Sequence, residues 1–237
     1  MSLPTIFQHF ERACIINLPG RKDRFCRITG ELRRIGADPH CHPFEVIEAI
    51  RPQTADRFSS VGAKGIFLTH LKLFKDTLQK GHENILLMED DFMFAKDFLS
   101  SQEPVSHKLS QVEWDIVYLG HSLPLKRHSP DLIRYDGKIM LMHFVGFHKR
   151  ILHTVVDFME NMLCRPPANF KRAFMHSDNM LNLLRSLNPR IVTYVASPSL
   201  GYQGPSRSDI TASVFDQLDK DGRILEPFRR IKAKWRW

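Results

Sequence analysis

Residues Gly65 to Phe94 read GIFLTHLKLFKDTLQKGHENILLMEDDFMF, and this stretch limits the choice of fold more than any other. Phe67 or Leu68, Leu71, Phe74 or Lys75 and Leu78 recur at helical spacing, and Gly81 suits a C-terminal cap. After a short loop, Ile85-Leu86-Leu87-Met88 forms an apolar run of the length of a buried strand. It ends in three acids, Glu89, Asp90 and Asp91. Open α/β sheets bind ligands outside the carboxyl ends of their strands, so acids there stand where chemistry is expected. Side chains alternate in extended chain, which sends Glu89 and Asp91 one way and Asp90 the other. Two hard oxygen donors on one side suit Mg²⁺ or Mn²⁺ with a phosphate as co-ligand. An acidic turn ahead of the next element accounts for the same triplet without chemistry.

The 237 residues favour one large domain. With 25% charged residues and ordinary apolar content the chain is globular, not disordered. A net charge of +8 points to anionic partners, whether nucleic acid, phosphorylated small molecules or an anionic membrane surface. The four cysteines form no CxxC pair, which predicts a reduced, cytoplasmic protein with Cys14 as a small core residue. Glu11 and Arg12 precede any apolar run, so a signal peptide is not expected, and no run reaches membrane-spanning length.

Ala13 to Leu18 reads as the first buried strand, broken by Pro19-Gly20. Arg21-Lys22-Asp23-Arg24 then opens a helix with a Phe25, Ile28, Leu32, Ile35 stripe that stops at Gly36. A basic cluster at a strand-to-helix turn can hold nucleotide phosphates, and it can equally be a solvated helix start. Phe44–Glu48, Trp114–Gly120 and Ile191–Val195 read as further strands, and Lys138–Phe147 as a strand or hairpin. Helices are expected over about Ile151–Leu163 and Asp178–Leu187, the second capped by Ser177. His40 and His42 flank Cys41 without a second ligand pair at zinc spacing, so they read as loop histidines. Strands alternating with helices imply a three-layer α/β fold around a mainly parallel sheet. Ser197 to Ser213 reads as a polar loop able to close over a ligand. Phe228 to Trp237 carries five basic residues and two tryptophans, with Phe228, Ile231 and Trp235 on one helical face. Either a basic tail or an anchor to anionic lipid has that composition, the latter placing the protein at the inner face of a membrane.

Taken together, these stretches resemble glycosyltransferase family 25, the lipooligosaccharide and procollagen-type glycosyltransferases. Ile16-Asn17-Leu18-Pro19-Gly20-Arg21-Lys22-Asp23-Arg24 matches the family's INLxxRxDR opening in full. Gly62, Gly65, Thr69, His70 and Phe74 match its middle block, with Ile66, Thr69 and Phe74 in place of Cys, Ser and Trp. Met88 to Asp91 stands for its LEDD strand end and Trp114 to Gly120 for its WDxxYLG segment. Pro198, Gln203 and Ser208-Asp209-Ile210 resemble its Q…SDI region, while His143 to Phe147 departs from the usual pattern.

The resemblance implies a GT-A domain, taken here as residues 1–213 ahead of a 214–237 tail. It also implies a UDP-sugar donor, commonly UDP-galactose, a Mn²⁺ or Mg²⁺ cofactor and inversion at the sugar carbon. In that scheme Asp91 and Asp90 hold the metal, with Glu89 beside them at the reaction centre. Asn17, Leu18, Arg21, Asp23 and Arg24 line the nucleotide end. Thr69 and His70 face the donor, and Gln203, Arg207, Ser208 and Asp209 close over it. The general base is expected at Asp178, a lone acid at the start of an apolar helix, where it equally suits the helix dipole. The acceptor is expected to be a saccharide or a lipid-linked saccharide such as lipopolysaccharide. Two other classes fit parts of the sequence: a non-catalytic relative that binds a nucleotide or partner, and a basic nucleic-acid-binding protein. The second is disfavoured because the basic residues are scattered and the aromatics lie on apolar helical faces.

Overall fold

Short apolar runs separated by amphipathic stretches can bury both faces only by stacking helices on either side of a sheet. The computed structural model, which describes residues 3–125, 129–164 and 176–204, adopts that solution. A 3₁₀ turn at Thr5–His9 precedes β1 (Ala13–Asn17), α1 (Lys22–Arg34), β2 (Phe44–Glu48), α2 (Val61–Gln79) and β3 (Asn84–Glu89). Then come β4 (Phe92–Phe94), α3 (Phe98–Leu109), β5 (Ile116–Gly120), β6 (Asp131–Arg134) and β7 (Phe144–His148). The described chain ends with α4 (Lys149–Cys164), α5 (Ser177–Leu187), β8 (Thr193–Ser197) and β9 (Gly201–Gln203).

The main sheet has the order β2-β1-β3-β7-β5-β8-β6. Its pairings divide evenly between parallel and antiparallel, yet five strands run one way and only β7 and β6 are reversed. The sheet is therefore mainly parallel in direction, as the alternation of elements predicts. Alternate residues of each strand feed opposite cores. Cys14, Ile16, Ile85, Leu87, Tyr118 and Phe147 pack under α2, α4 and α5, whereas Ala13, Ile15, Leu86, Met88, Val117 and Phe144 pack under the 3₁₀ turn, α1 and α3. Cys14 is buried as expected, and burial pushes its thiol up to about 12.

The helix ends follow local chemistry. Ser60 Oγ accepts the Ala63 N–H at the start of α2, and Gly36 and Gly81 take positive φ beyond α1 and α2, where a side chain would be strained. At the amino end of β1, Arg12 is almost fully buried, donates to both carboxylate oxygens of Glu45 and pairs with Asp76. That pair fixes β2 and α2 to the sheet edge remote from the acids.

The strand or hairpin anticipated over 138–147 is strand only from Phe144, and that strand runs on to His148. The polar loop from Ser197 contains β9, which pairs with β4 in a separate two-stranded sheet. Ser177 does not cap α5; His176 holds the cap position and the buried Ser177 Oγ has no partner among the described residues. Alternation does not carry through the acidic triplet, because the chain leaves the strand after Glu89 and turns at Asp90-Asp91. The expected contacts of Arg207, Ser208 and Asp209, the 214–237 tail and the proposed anchor lie outside the described residues.

Candidate active site

Register decides which residues meet at the carboxyl edge. Ile16 lies opposite Glu89, Met88 opposite Phe144, and Gly120 opposite Phe144. Asn17, Glu89, Gly120 and His143 therefore fall on one edge, and the turn after β3 projects Asp90 and Asp91 beyond it.

Asp90 is the anchor. Its Oδ2 accepts the Asn17 side-chain amide at 2.7 Å and its Oδ1 accepts Arg24 at 2.9 Å. Asn17 also donates to the Arg21 carbonyl at 3.3 Å, and the Arg21 N–H closes the turn on the Leu18 carbonyl at 2.8 Å. The strand-to-helix turn is thus stitched to the acidic turn before any ligand arrives. Arg21 makes a two-pronged pair with the exposed Asp23, which holds that carboxyl below its ordinary range.

Asp91 is held differently. Its Oδ2 accepts Gln203 at 2.9 Å and lies 3.6 Å from Arg24, while its carbonyl accepts the Gly204 N–H. Its buried Oδ1 has no partner among the described residues. Burial pushes the Asp91 carboxyl up, against the pull of Arg24 and Gln203. Glu89 is raised as well, to about 8, through burial first and then through Asp91 and Asp90. Near neutral pH Glu89 accordingly holds a proton and presents an O–H.

Asp178 stands across from this group at the first turn of α5, near enough for its charge to add to the rise at Glu89. Its Oδ2 accepts the Leu141 N–H at 3.2 Å and its Oδ1 the Asn179 N–H at 2.7 Å, which fixes the carboxylate plane. Thr69 and His70 do not join the cluster. Thr69 Oγ1 donates to Gly65 and accepts the Ile50 N–H, pinning a loop to α2. His70 is buried beside Phe74 with neither ring nitrogen bonded among the described residues, and burial lowers it to about 4.

The sequence profile of glycosyltransferase family 25 (LPS biosynthesis protein) matches residues 10–165 of the chain. The chain belongs to glycosyltransferase family 25. The match spans Asn17, Arg24 and the acidic triplet, whereas Asp178 and Gln203 lie beyond it. No curated protein matches the chain. Among solved structures the family 25 chain is similar to a glycosyltransferase involved in the glycosylation of the major capsid of PBCV-1. That pair has 11% identity and a TM-score of 0.48, covering 94% of this chain and 98% of the other. It is also similar to 4-diphosphocytidyl-2C-methyl-D-erythritolsynthase from Anaerococcus prevotii DSM 20548, with 9% identity, a TM-score of 0.41 and coverage of 99% and 86%. The assignment to family 25 rests on the profile.

Do these residues fit a divalent metal? Both oxygens of Asp90 are engaged, and no group of three acid, histidine or cysteine ligands converges among the described residues. Within the acidic turn, Asp91 Oδ1 is buried and without a partner among the described residues. Mg²⁺ and Mn²⁺ are commonly held by one or two carboxylates plus substrate phosphates, so this donor set fits a metal shared with a diphosphate. In this family 25 chain Asp91 would hold it, and Asp90 would hold the turn that aims Asp91.

Other site residues were missed from the sequence. His143, stacked on Phe92 at 5.6 Å, passes its carbonyl to the Glu89 N–H, and His121 bonds the Ala196 carbonyl at 2.7 Å. Each follows or precedes a strand at the ligand edge, and that position was the available signal. Gly201 is a further case, since a Cβ there would lie 2.1 Å from Phe92 Cζ and 2.5 Å from the Met93 carbonyl. The oxygen is backbone and cannot step aside. Gly201→Ala is expected to part β9 from β4, lower stability by about 1–3 kcal/mol and weaken donor binding by withdrawing Gln203. A thermal melt and the donor KM check this; wild-type values for both contradict it.

Proposed function

We propose that the protein is an inverting, metal-dependent hexosyltransferase that moves a hexose, most simply galactose, from a UDP-sugar to a hydroxyl of a saccharide or lipid-linked saccharide such as lipopolysaccharide. The observation that carries this reading is the acidic turn itself. It is braced by Asn17 and Arg24, holds the buried, unpartnered Asp91 oxygen, and lies within electrostatic reach of a second carboxylate, Asp178, on another element.

Asn17, the Leu18–Arg21 turn and Arg24 hold the nucleotide end, and Gln203 positions Asp91 from the opposite side. A bound metal would neutralise negative charge developing on the departing diphosphate. The acceptor oxygen forms a bond to the anomeric carbon as the bond to the diphosphate oxygen breaks, and its proton passes to Asp178. Glu89 donates its hydrogen bond to the sugar or phosphate while remaining uncharged, which limits repulsion beside the diphosphate. The two backbone N–H groups on Asp178 keep it aimed before the acceptor binds.

Asp178→Asn keeps an oxygen for Leu141 but cannot take the proton. Turnover is expected to fall by roughly 10²–10⁴-fold while UDP binding stays within about twofold. Steady-state transfer and UDP titration read the two separately, and unchanged turnover places the base elsewhere.

A further inference from the structure

We infer that residues 135–141 form the acceptor-selecting element of this site, with Met140 the surface against which the acceptor sugar packs; the inference rests on the transferase reading above. On α5, Asp178, Asn182 and Arg185 lie at helical spacing on one face. That face grips the preceding segment at every second residue. Arg185 donates to the Tyr135 carbonyl at 2.7 Å and the Gly137 carbonyl at 3.0 Å. Asn182 bonds both the N–H and the carbonyl of Ile139, at 2.9 and 2.6 Å. Asp178 takes the N–H of Leu141. Arg185 is buried and also donates to Thr193 of β8, so the ladder is tied into the sheet.

The alternation has two results. Ile139 is fully buried, whereas Met140 is 39% exposed, a large apolar side chain left in solvent on an otherwise pinned segment. Leu141 takes φ +72, a conformation that residues other than glycine rarely adopt, at the same point where its N–H meets Asp178. That turn makes Met140 the chain neighbour of Leu141, whose N–H meets the proposed base. An acceptor hydroxyl within hydrogen-bond reach of Asp178 brings its own ring over whatever adjoins that carboxylate. A pyranose offers a C–H face, and a thioether chain is apolar and adaptable enough to cover it. The ladder fixes the backbone, so the identity of the outward side chain selects the ring.

The test uses the full chain, UDP-galactose, UDP-glucose and UDP-N-acetylglucosamine as donors, and a panel of octyl pyranosides (galactoside, glucoside, mannoside and N-acetylglucosaminide) as acceptors. Met140→Ala and Met140→Trp are compared with Leu187→Ala, whose side chain is 66% exposed at the far end of α5. Met140→Ala is expected to raise acceptor KM at least about fivefold, and Met140→Trp to reorder the panel. Donor KM and the release of UDP without acceptor should stay within about twofold, and Leu187→Ala should change none of these. An unchanged panel in both Met140 variants, or a donor KM that moves as far as the acceptor KM, overturns the inference. So does normal UDP release by wild type with no pyranoside accepted. Absence of UDP release from every donor, with or without acceptor, overturns the transferase reading first and this inference with it.

Discussion

Asp91→Asn should lower transfer on the order of 10³-fold or more, because it removes the buried carboxylate oxygen that has no partner among the described residues. The fold should not suffer. Burial already pushes the Asp91 carboxyl up, so an ionised group there is a cost in the metal-free chain, and an amide relieves it. Gln203 can still donate to the amide oxygen, the Gly204 N–H still reaches the residue 91 carbonyl, and Arg24 keeps Asp90. The expected pair of results is a melting temperature equal to or above wild type in EDTA, with transfer lost. Transfer near the wild-type rate removes the metal role from Asp91.

The second large effect is on stability against pH. Glu89 binds its proton more tightly in the folded chain, at about 8, than at its ordinary value of 4.5. Between those values folding takes up a proton, so stability falls as pH rises and the full loss is reached above about pH 8. His70 and His143, both lowered to about 4 by burial, act from the other side. They must shed protons to fold, so their cost grows as pH falls from 6.5 toward 4. Glu89→Gln removes only the first contribution. In EDTA the variant should gain on wild type across that rise, by on the order of 3 kcal/mol near pH 8 or roughly 5–10 °C in melting temperature. Parallel melting curves from pH 5 to 8.5 would show that Glu89 is not protonated in the folded protein.

The sequence displayed the parts of this protein whose signals are local. β1, β2, α1, α2 and the acidic end of β3 each carry an apolar run or stripe bounded by Gly, Pro or a cap, and a change of period marks their limits. α3 was not legible, since Ser100, Ser101, Gln102 and Pro104 interrupt any apolar stripe in Phe98–Leu109. β4 and β9 are three residues each, and they exist because Gly201 lets the backbone press on Phe92, a contact between distant parts of the chain. The site shows the same divide. The acids and the basic turn could be named from position, but the division of labour between Asp90 and Asp91 depends on where Asn17 and Arg24 reach. Asp178 was visible as a lone acid, while its companions Asn182 and Arg185 look like ordinary polar positions until segment 135–141 lies against them. Net charge did not locate the site, and the buried bases Arg12, Arg24 and Arg185 act inside the fold in pairs and ladders. Among the described residues no helix is long and apolar enough to cross a membrane.

The central claim is that the acidic turn and the Asn17–Arg24 turn together hold a nucleotide diphosphate through a divalent ion. Calorimetric titration of UDP into the wild-type protein, in Mn²⁺ and then in EDTA, tests it most directly. The account predicts binding with Mn²⁺ that weakens at least about tenfold, or 1.4 kcal/mol, in EDTA and equally in Asp91→Asn. Equal affinity in Mn²⁺ and EDTA, or no UDP binding in either, would contradict it.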